Sequence, residues 1–226
     1  MSRNAKAAGA LAVLIGVLQM GARVDGIALP LPVKGRPLTT ADLAIQAYNA
    51  GIESRNRGLA AEAKSAQASA EAGRARYAKT ARGEYARAFD HFSDAAELDP
   101  AMPQAWNARG FIYRKLGDYN SALISYDHAL ALAPNFPDAI EYRAEACLAL
   151  NRLDEAREAY LRLFALDRAQ ADLLMRAMIE WVATRKADPA GVDRAIIERF
   201  EDWINERATL ARRTRLMGWQ AAHRSW

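Results

Sequence analysis

The sequence predicts an all-α fold: a stack of about three helix pairs, the first pair elongated, finished by a C-terminal helical cap. Three observations carry this expectation. Of the 226 residues, 51% are apolar and alanine is abundant, while Gly (13) and Pro (8) are sparse, which favours helix formers over breakers. A pattern of small and large side chains recurs at a spacing of 34 residues, the mark of stacked two-helix units. Beyond that repeat, apolar residues continue at helical spacing.

The repeat is clearest in residues 105–134, AWNARGFIYRKLGDYNSALISYDHALALAP. Shifting by 34 positions pairs Trp106 with Ile140, Gly110 with Ala144, Tyr113 with Cys147, Ala122 with Ala156, Tyr126 with Tyr160 and Ala129 with Leu163. Shifting the other way pairs Gly117 with Gly83, Tyr119 with Tyr85, Ala122 with Ala88, Tyr126 with Phe92, Ala129 with Ala95 and Pro134 with Pro100. The physical reason is steric. Gly110 and Ala122 are small where two antiparallel helices cross. Trp106, Tyr113 and Tyr126 are large because they fill the gaps between helices and between units. Gly117 ends the first helix, Asp118 caps the second, and Pro134 closes the unit. No unit buries its apolar face alone, so neighbours stack.

These residues resemble the tetratricopeptide repeat family. Residues 103–136 fit its pattern at nearly every signature position. Residues 137–170 fit more loosely, with Asn151-Arg152 in place of the turn Gly-Asp and Arg168 in place of the closing proline. Residues 84–100 resemble the second helix of a preceding unit. The resemblance spans 40–170 and implies a right-handed helical solenoid.

The first unit departs from the pattern. Residues 47–58 read as its first helix, and Gly51 and Gly58 repeat the seven-residue separation of Gly110 and Gly117. Aligning Gly58 with the turn glycine leaves an insertion, 59–82, made mostly of helix formers. It reads as an extension of both arms into a projecting hairpin. Its turn falls near Ser65 to Gly73, with a seam of Ala63, Ala66, Ala70, Gly73, Tyr77 and Thr80. The alternative is a flexible Ala/Ser-rich linker. Thr39 and Asp42 suit a helix start. Before them, 29–39 is a Pro-rich extended linker.

Residues 171–226 read as capping helices and a basic tail. Leu173, Leu174, Ala177, Met178, Trp181 and Val182 share one side of the first helix. Asp188 and Pro189 are expected to cap and begin the second. The cap would cover the open end of the stack.

At the other end, Arg3 and Lys6 precede the uncharged run 7–22. The run is short for a span of roughly 20 residues. It reads as part of a signal peptide over 1–28, with Gly26 and Ala28 as small residues before a cut at Leu29, or as an uncleaved membrane anchor. The localisation expected is periplasmic or otherwise exported, or anchored in the inner membrane facing the periplasm.

The net charge of +4 is small, and no basic stripe marks a nucleic-acid surface. The single cysteine, Cys147, excludes an internal disulfide and reads as a buried, inert thiol. His91, His128 and His223 lie far apart without partners at metal spacing, so no metal or other cofactor is expected. No nucleophile or phosphate-loop motif is present, so no catalytic residue is assigned.

Function is expected in binding. Members of the resembled family hold peptides or protein surfaces in a concave groove lined by their first helices. By repeat position the groove residues here are Tyr48, Ile52 and Arg55 from the first unit, Asn107, Phe111, Arg114 and Lys115 from the second, and Glu141, Glu145 and Leu148 from the third. This face reads as basic in the middle with an exposed aromatic ring, Phe111, and acidic in the third unit. The other reading is a solvated face whose charges pair across units. Some members grip a C-terminal carboxylate with Lys, Asn and Arg. Asn107 sits at such a position, but Phe111 stands where a second Asn would be, which argues against a chaperone-tail receptor. The function expected is a non-catalytic adaptor of the bacterial envelope with a protein or peptide partner. The alternative is association with a membrane or cell-wall surface through Arg212, Arg213, Arg215, Trp219 and Trp226 of the tail.

Overall fold

The computed structural model describes residues 28–30 and 37–222, with side chains described through residue 214. Eight helices are present among them: α1 (Thr40–Gln67), α2 (Glu71–Leu98), α3 (Pro103–Lys115), α4 (Tyr119–Leu132), α5 (Pro137–Ala149), α6 (Leu153–Leu166), α7 (Arg168–Ala187) and α8 (Arg194–Ala222). The described residues contain no strand, so the all-α expectation holds. The apolar run 7–22 and the cut at Leu29's predecessors fall almost wholly outside the described residues. Two compact units divide the chain, one ending at Gln170 and the other continuing from Ala171.

In the first unit, consecutive helices pack as antiparallel pairs, α1 on α2, α3 on α4 and α5 on α6. This is a helical solenoid of repeats. The elongated first hairpin is present: α1 and α2 each run 28 residues. Thr39 starts α1 with a capping box, its hydroxyl accepting from the Asp42 amide (3.2 Å) while the Asp42 carboxylate accepts from the Thr39 amide (2.8 Å). Leu29 is tied to α1 by Asn49, whose side chain accepts from the Leu29 amide (2.7 Å) and donates to the Leu29 carbonyl (2.8 Å).

Glycine on a first helix makes room for an aromatic ring from the second. A Cβ on Gly110 would lie 2.7 Å from Cε1 of Tyr126, and one on Gly51 would lie 2.5 Å from Cε1 of Phe92. Gly58 does the same against Tyr85, also at 2.5 Å. That corrects its reading as a turn glycine, because α1 passes straight through it. The hairpin turn sits at 68–70. Arg74 closes it by donating to the carbonyls of Ala68 (3.1 Å) and Ser69 (2.8 Å), and Ser65 donates to the Arg74 carbonyl (2.8 Å). The seam is also corrected. Gly73 and Tyr77 are half-buried as expected, but Ala63, Ala66, Ala70 and Thr80 are exposed, and Ala61, Ser65, Ala68 and Ala81 are buried or half-buried in their place.

The second and third units share one turn geometry despite different residues. The Gly117 and Asp118 amides donate to the carbonyls of Arg114 (3.0 Å) and Tyr113 (2.9 Å), closing a Schellman motif with Gly117 at φ 86°. The Asn151 and Arg152 amides donate to Leu148 (3.0 Å) and Cys147 (2.8 Å) in the same pattern, with Asn151 at φ 59°. Asparagine replaces glycine here because it tolerates the left-handed region better than other side chains. Asp118 caps α4 by accepting from the Ser121 amide (3.1 Å), whereas Arg152 gives α6 no side-chain cap. Pro103 and Pro137 open α3 and α5 at equivalent positions, where a missing amide costs nothing.

In the compact unit that continues from Ala171, α7 and α8 pack through Trp181 and Phe200, edge to face at 5.4 Å, with Ile197 and Ile204 buried beside them. The start of α8 corrects the expected boundary. Asp188 and Pro189 lie in a loop with Ala190 (φ 46°) and Gly191 (φ 84°), and it is Asp193 that caps the helix, accepting from the Ala195 amide at 2.7 Å.

Candidate functional site

The three first helices, α1, α3 and α5, bring residues from successive units onto one connected cluster. Phe111 on α3 meets Tyr142 on α5 edge to face, with centroids 5.6 Å apart. Arg55 from α1 lies over the Phe111 ring at 5.6 Å. Arg114 lies between the two rings, 5.3 Å from Phe111 and 5.0 Å from Tyr142. Its Nη1 donates to Oε2 of Glu145, so the chain of contacts runs Arg55, Phe111, Arg114, Tyr142, Glu145. Tyr48 packs on Phe92 at 5.6 Å, and Ile52 and Leu148 fill the core beneath.

The structure corrects the expected exposure of this face. Phe111 is 2% exposed, Arg114 4% and Asn107 6%, and Tyr48, Ile52, Arg55, Glu141, Glu145 and Leu148 are buried as well. Arginine and glutamate pair across units, and the aromatic rings flatten against the guanidinium groups. Lys115 leaves the cluster altogether. Its buried ammonium sits 2.5 Å from Glu62 on the elongated hairpin and 5.8 Å from the Tyr85 ring. Tyr85 in turn donates to Glu62 at 2.8 Å.

Burial sets the electrostatics. It pushes the Glu141 carboxyl well above the usual carboxylate range, neighbouring Glu145 pushes it further, and Arg114 only partly opposes this. Burial disfavours charge on Arg114, yet Glu145 and Glu141 more than offset it, so the guanidinium stays charged. The Tyr126 hydroxyl is raised by burial, partly countered by Arg114. Lys115 is lowered by burial against the pull of Glu62.

On this face, buried polar atoms of Arg114, Asn107 and the Tyr126 hydroxyl beside Arg114 lack a hydrogen-bond partner among the described residues. Arg114 uses one nitrogen on Glu145, while its Nε and Nη2 have no hydrogen-bond partner among the described residues. Asn107, about two helical turns nearer the start of α3, has Oδ1 without a hydrogen-bond partner among the described residues. Buried polar atoms are normally satisfied, so open groups on this face are a departure from the rule.

Tyr142 and Glu62 escaped the sequence reading. A shift of 34 from Ala108 lands on Tyr142, a small-to-large change that signals it; nothing in the sequence signals Glu62 as the partner of Lys115. Among the other candidates, Trp106 stacks on His128 at 4.5 Å and donates to the Pro100 carbonyl (3.0 Å). No group of three metal-ligating side chains occurs among the described residues. Cys147 is buried, with its thiol pushed up to about 11 by burial. Arg212 and Arg213 are exposed on α8. The side chains of Arg215 and Trp219, and all of Trp226, lie outside the described residues, as does His223.

Stacked antiparallel helix pairs, with glycine facing aromatic residues within each pair, define a helical-repeat protein. Comparison with known proteins identifies the repeat. Residues 103–136 match the family model described as the tetratricopeptide repeat. Tetratricopeptide repeat protein 17 of Rattus norvegicus is 39% identical over 79 residues, which is 32% of this chain and 6% of that protein. This chain therefore spans a small fraction of that relative. Among solved structures, the first TPR of Spaghetti (RPAP3) bound to the HSP90 peptide SRMEEVD is 25% identical, with a TM-score of 0.40, covering 54% of this chain and 91% of that one. The first TPR domain of the human RPAP3 protein is 23% identical, with a TM-score of 0.41, covering 58% and 98%. Residues 103–136 are thus similar to a tetratricopeptide repeat, and the stacked helix pairs on either side of them repeat its two-helix architecture.

Proposed function

We propose that this protein is a non-catalytic adaptor that holds an extended segment of another protein against α1, α3 and α5. The observation that carries the reading is the pair of unspent groups, Oδ1 of Asn107 and the Nε and Nη2 of Arg114. A peptide backbone offers a donor and an acceptor at every residue, which is what an amide oxygen and a guanidinium edge complement. Phe111 and Tyr142, themselves buried, hold the Arg114 guanidinium in place from either side. The basic middle of the face is not a free charged surface, since Arg114 is already matched by Glu145. Recognition therefore rests on backbone hydrogen bonds more than on net charge.

The setting we propose is the bacterial envelope, after export. It rests on the charged start and the apolar run at 7–22; the relatives named above come from rat and human. The test of binding is a displayed library of unstructured peptides, selected on wild type and on Asn107→Leu. Enrichment on wild type that disappears in the variant, at equal stability, is expected. Enrichment indifferent to the variant would move the binding surface elsewhere.

A further inference from the structure

We propose that the second compact unit carries a carboxylate-binding site of its own, in a cleft of about 370 Å³ between α7 and α8. The cleft is lined by Arg185, Lys186, Pro189, Arg194, Glu198 and Glu201, with Ile197 as its apolar floor. Three cations and two acids meet there, and the structure pairs them unevenly. Lys186 donates to Glu201 at 2.6 Å, and Arg194 donates to Glu198 at 3.3 Å. Arg185 has no acid. It is 7% exposed, its Nε lacks a hydrogen-bond partner among the described residues, and its guanidinium rests over the Trp181 ring at 5.7 Å.

A buried guanidinium stacked on a neutral ring keeps its charge and most of its N–H donors unspent. The cleft therefore has one uncompensated positive charge, held by a rigid planar fork. A carboxylate matches that fork in geometry and neutralises the charge. A phosphate dianion would overshoot it and face Glu198 and Glu201 across the cleft. The carboxylate is either that of a small free acid or that of an acidic side chain on a partner.

The experiment uses full-length protein labelled at arginine with nitrogen-15, at constant ionic strength. Acetate presents the group as a free molecule, and a capped Gly-Glu-Gly peptide presents it as a side chain. Phosphate and chloride are the comparators. The expected result is a saturable shift of the Arg185 Nε–H resonance with one or both carboxylates, whichever binds more tightly naming the source. Arg185→Lys, which keeps the charge and loses the fork, should weaken that binding about tenfold, as expected for charge-assisted hydrogen bonds. A shift no larger than chloride gives, an equal or stronger response to phosphate, or unchanged binding in Arg185→Lys overturns the proposal. The first two outcomes are read on the wild type alone and do not depend on how the variant folds.

Discussion

Replacing Gly110 with alanine places a methyl group 2.7 Å from Cε1 and 2.8 Å from Cδ1 of Tyr126. The ring cannot withdraw, because Tyr126 is fully buried and packs against Tyr142 at 6.3 Å on its far side. Two terms compete. Alanine gains about 1 kcal/mol over glycine in a helix interior. Overpacking a filled core costs about 1–3 kcal/mol. The net expectation is a loss of about 1 kcal/mol. Gly83 supplies the internal control. It lies within α2, and a Cβ there meets nothing within 4 Å, so Gly83→Ala keeps the gain of about 1 kcal/mol without the cost. The two variants should therefore differ by about 2 kcal/mol with opposite signs. Urea unfolding of both, with unchanged m-values, measures this directly. If Gly110→Ala stabilises the protein as much as Gly83→Ala does, the claim that glycine is selected by the opposing ring is wrong.

Three further outcomes follow from the buried cluster and the turns. Arg114→Met strands Glu145 without its partner and should cost about 3–5 kcal/mol, while the double variant Arg114→Met/Glu145→Met should recover most of that loss in the same denaturation assay. Glu141 is raised in the folded state, so its contribution is fully present below the unfolded value of about 4.3 and is lost as pH rises through the folded value. Stability should thus fall as pH rises from the unfolded value towards the folded one and level off above it, and Glu141→Gln should flatten the decline in thermal melts taken across the range. At the third-unit turn, Asn151 holds φ 59°. There Asn151→Gly should leave stability nearly unchanged, whereas Asn151→Val should cost about 1–2 kcal/mol by calorimetry.

Much of the stack is legible in the sequence because its constraints are local. Gly117 must end a helix, Asp118 can cap the next, and Pro134 cannot continue one, whatever surrounds them. The recurrence of Ala122, Tyr126 and Ala129 in the neighbouring units then fixes the pairing of helices. Features decided by distant residues were not legible. Gly58 resembles a turn glycine at the right spacing, and only the ring of Tyr85 shows that it belongs inside a helix. The hairpin seam shifts because Arg74 and Ser65 set where the arms turn. Asp188-Pro189 has the form of a helix start, yet the left-handed residues Ala190 and Gly191 delay it to Asp193. The candidate face is the clearest case. Repeat position selects Arg55, Asn107, Phe111, Arg114 and Glu145 together, but their burial depends on partners from three units. A solvated charge and a buried ion pair have the same residue pattern in one dimension.

The central claim is that the unspent nitrogens of Arg114 and the oxygen of Asn107 receive a peptide. The measurement that tests it most directly is the Arg114 Nε–H resonance, observed while a peptide selected from the library is added. The account predicts a large shift and slowed solvent exchange as the peptide saturates, abolished in Asn107→Leu at unchanged stability. An Arg114 signal that stays in place while resonances elsewhere on the repeats shift would show that the peptide binds another surface, and the account would be contradicted.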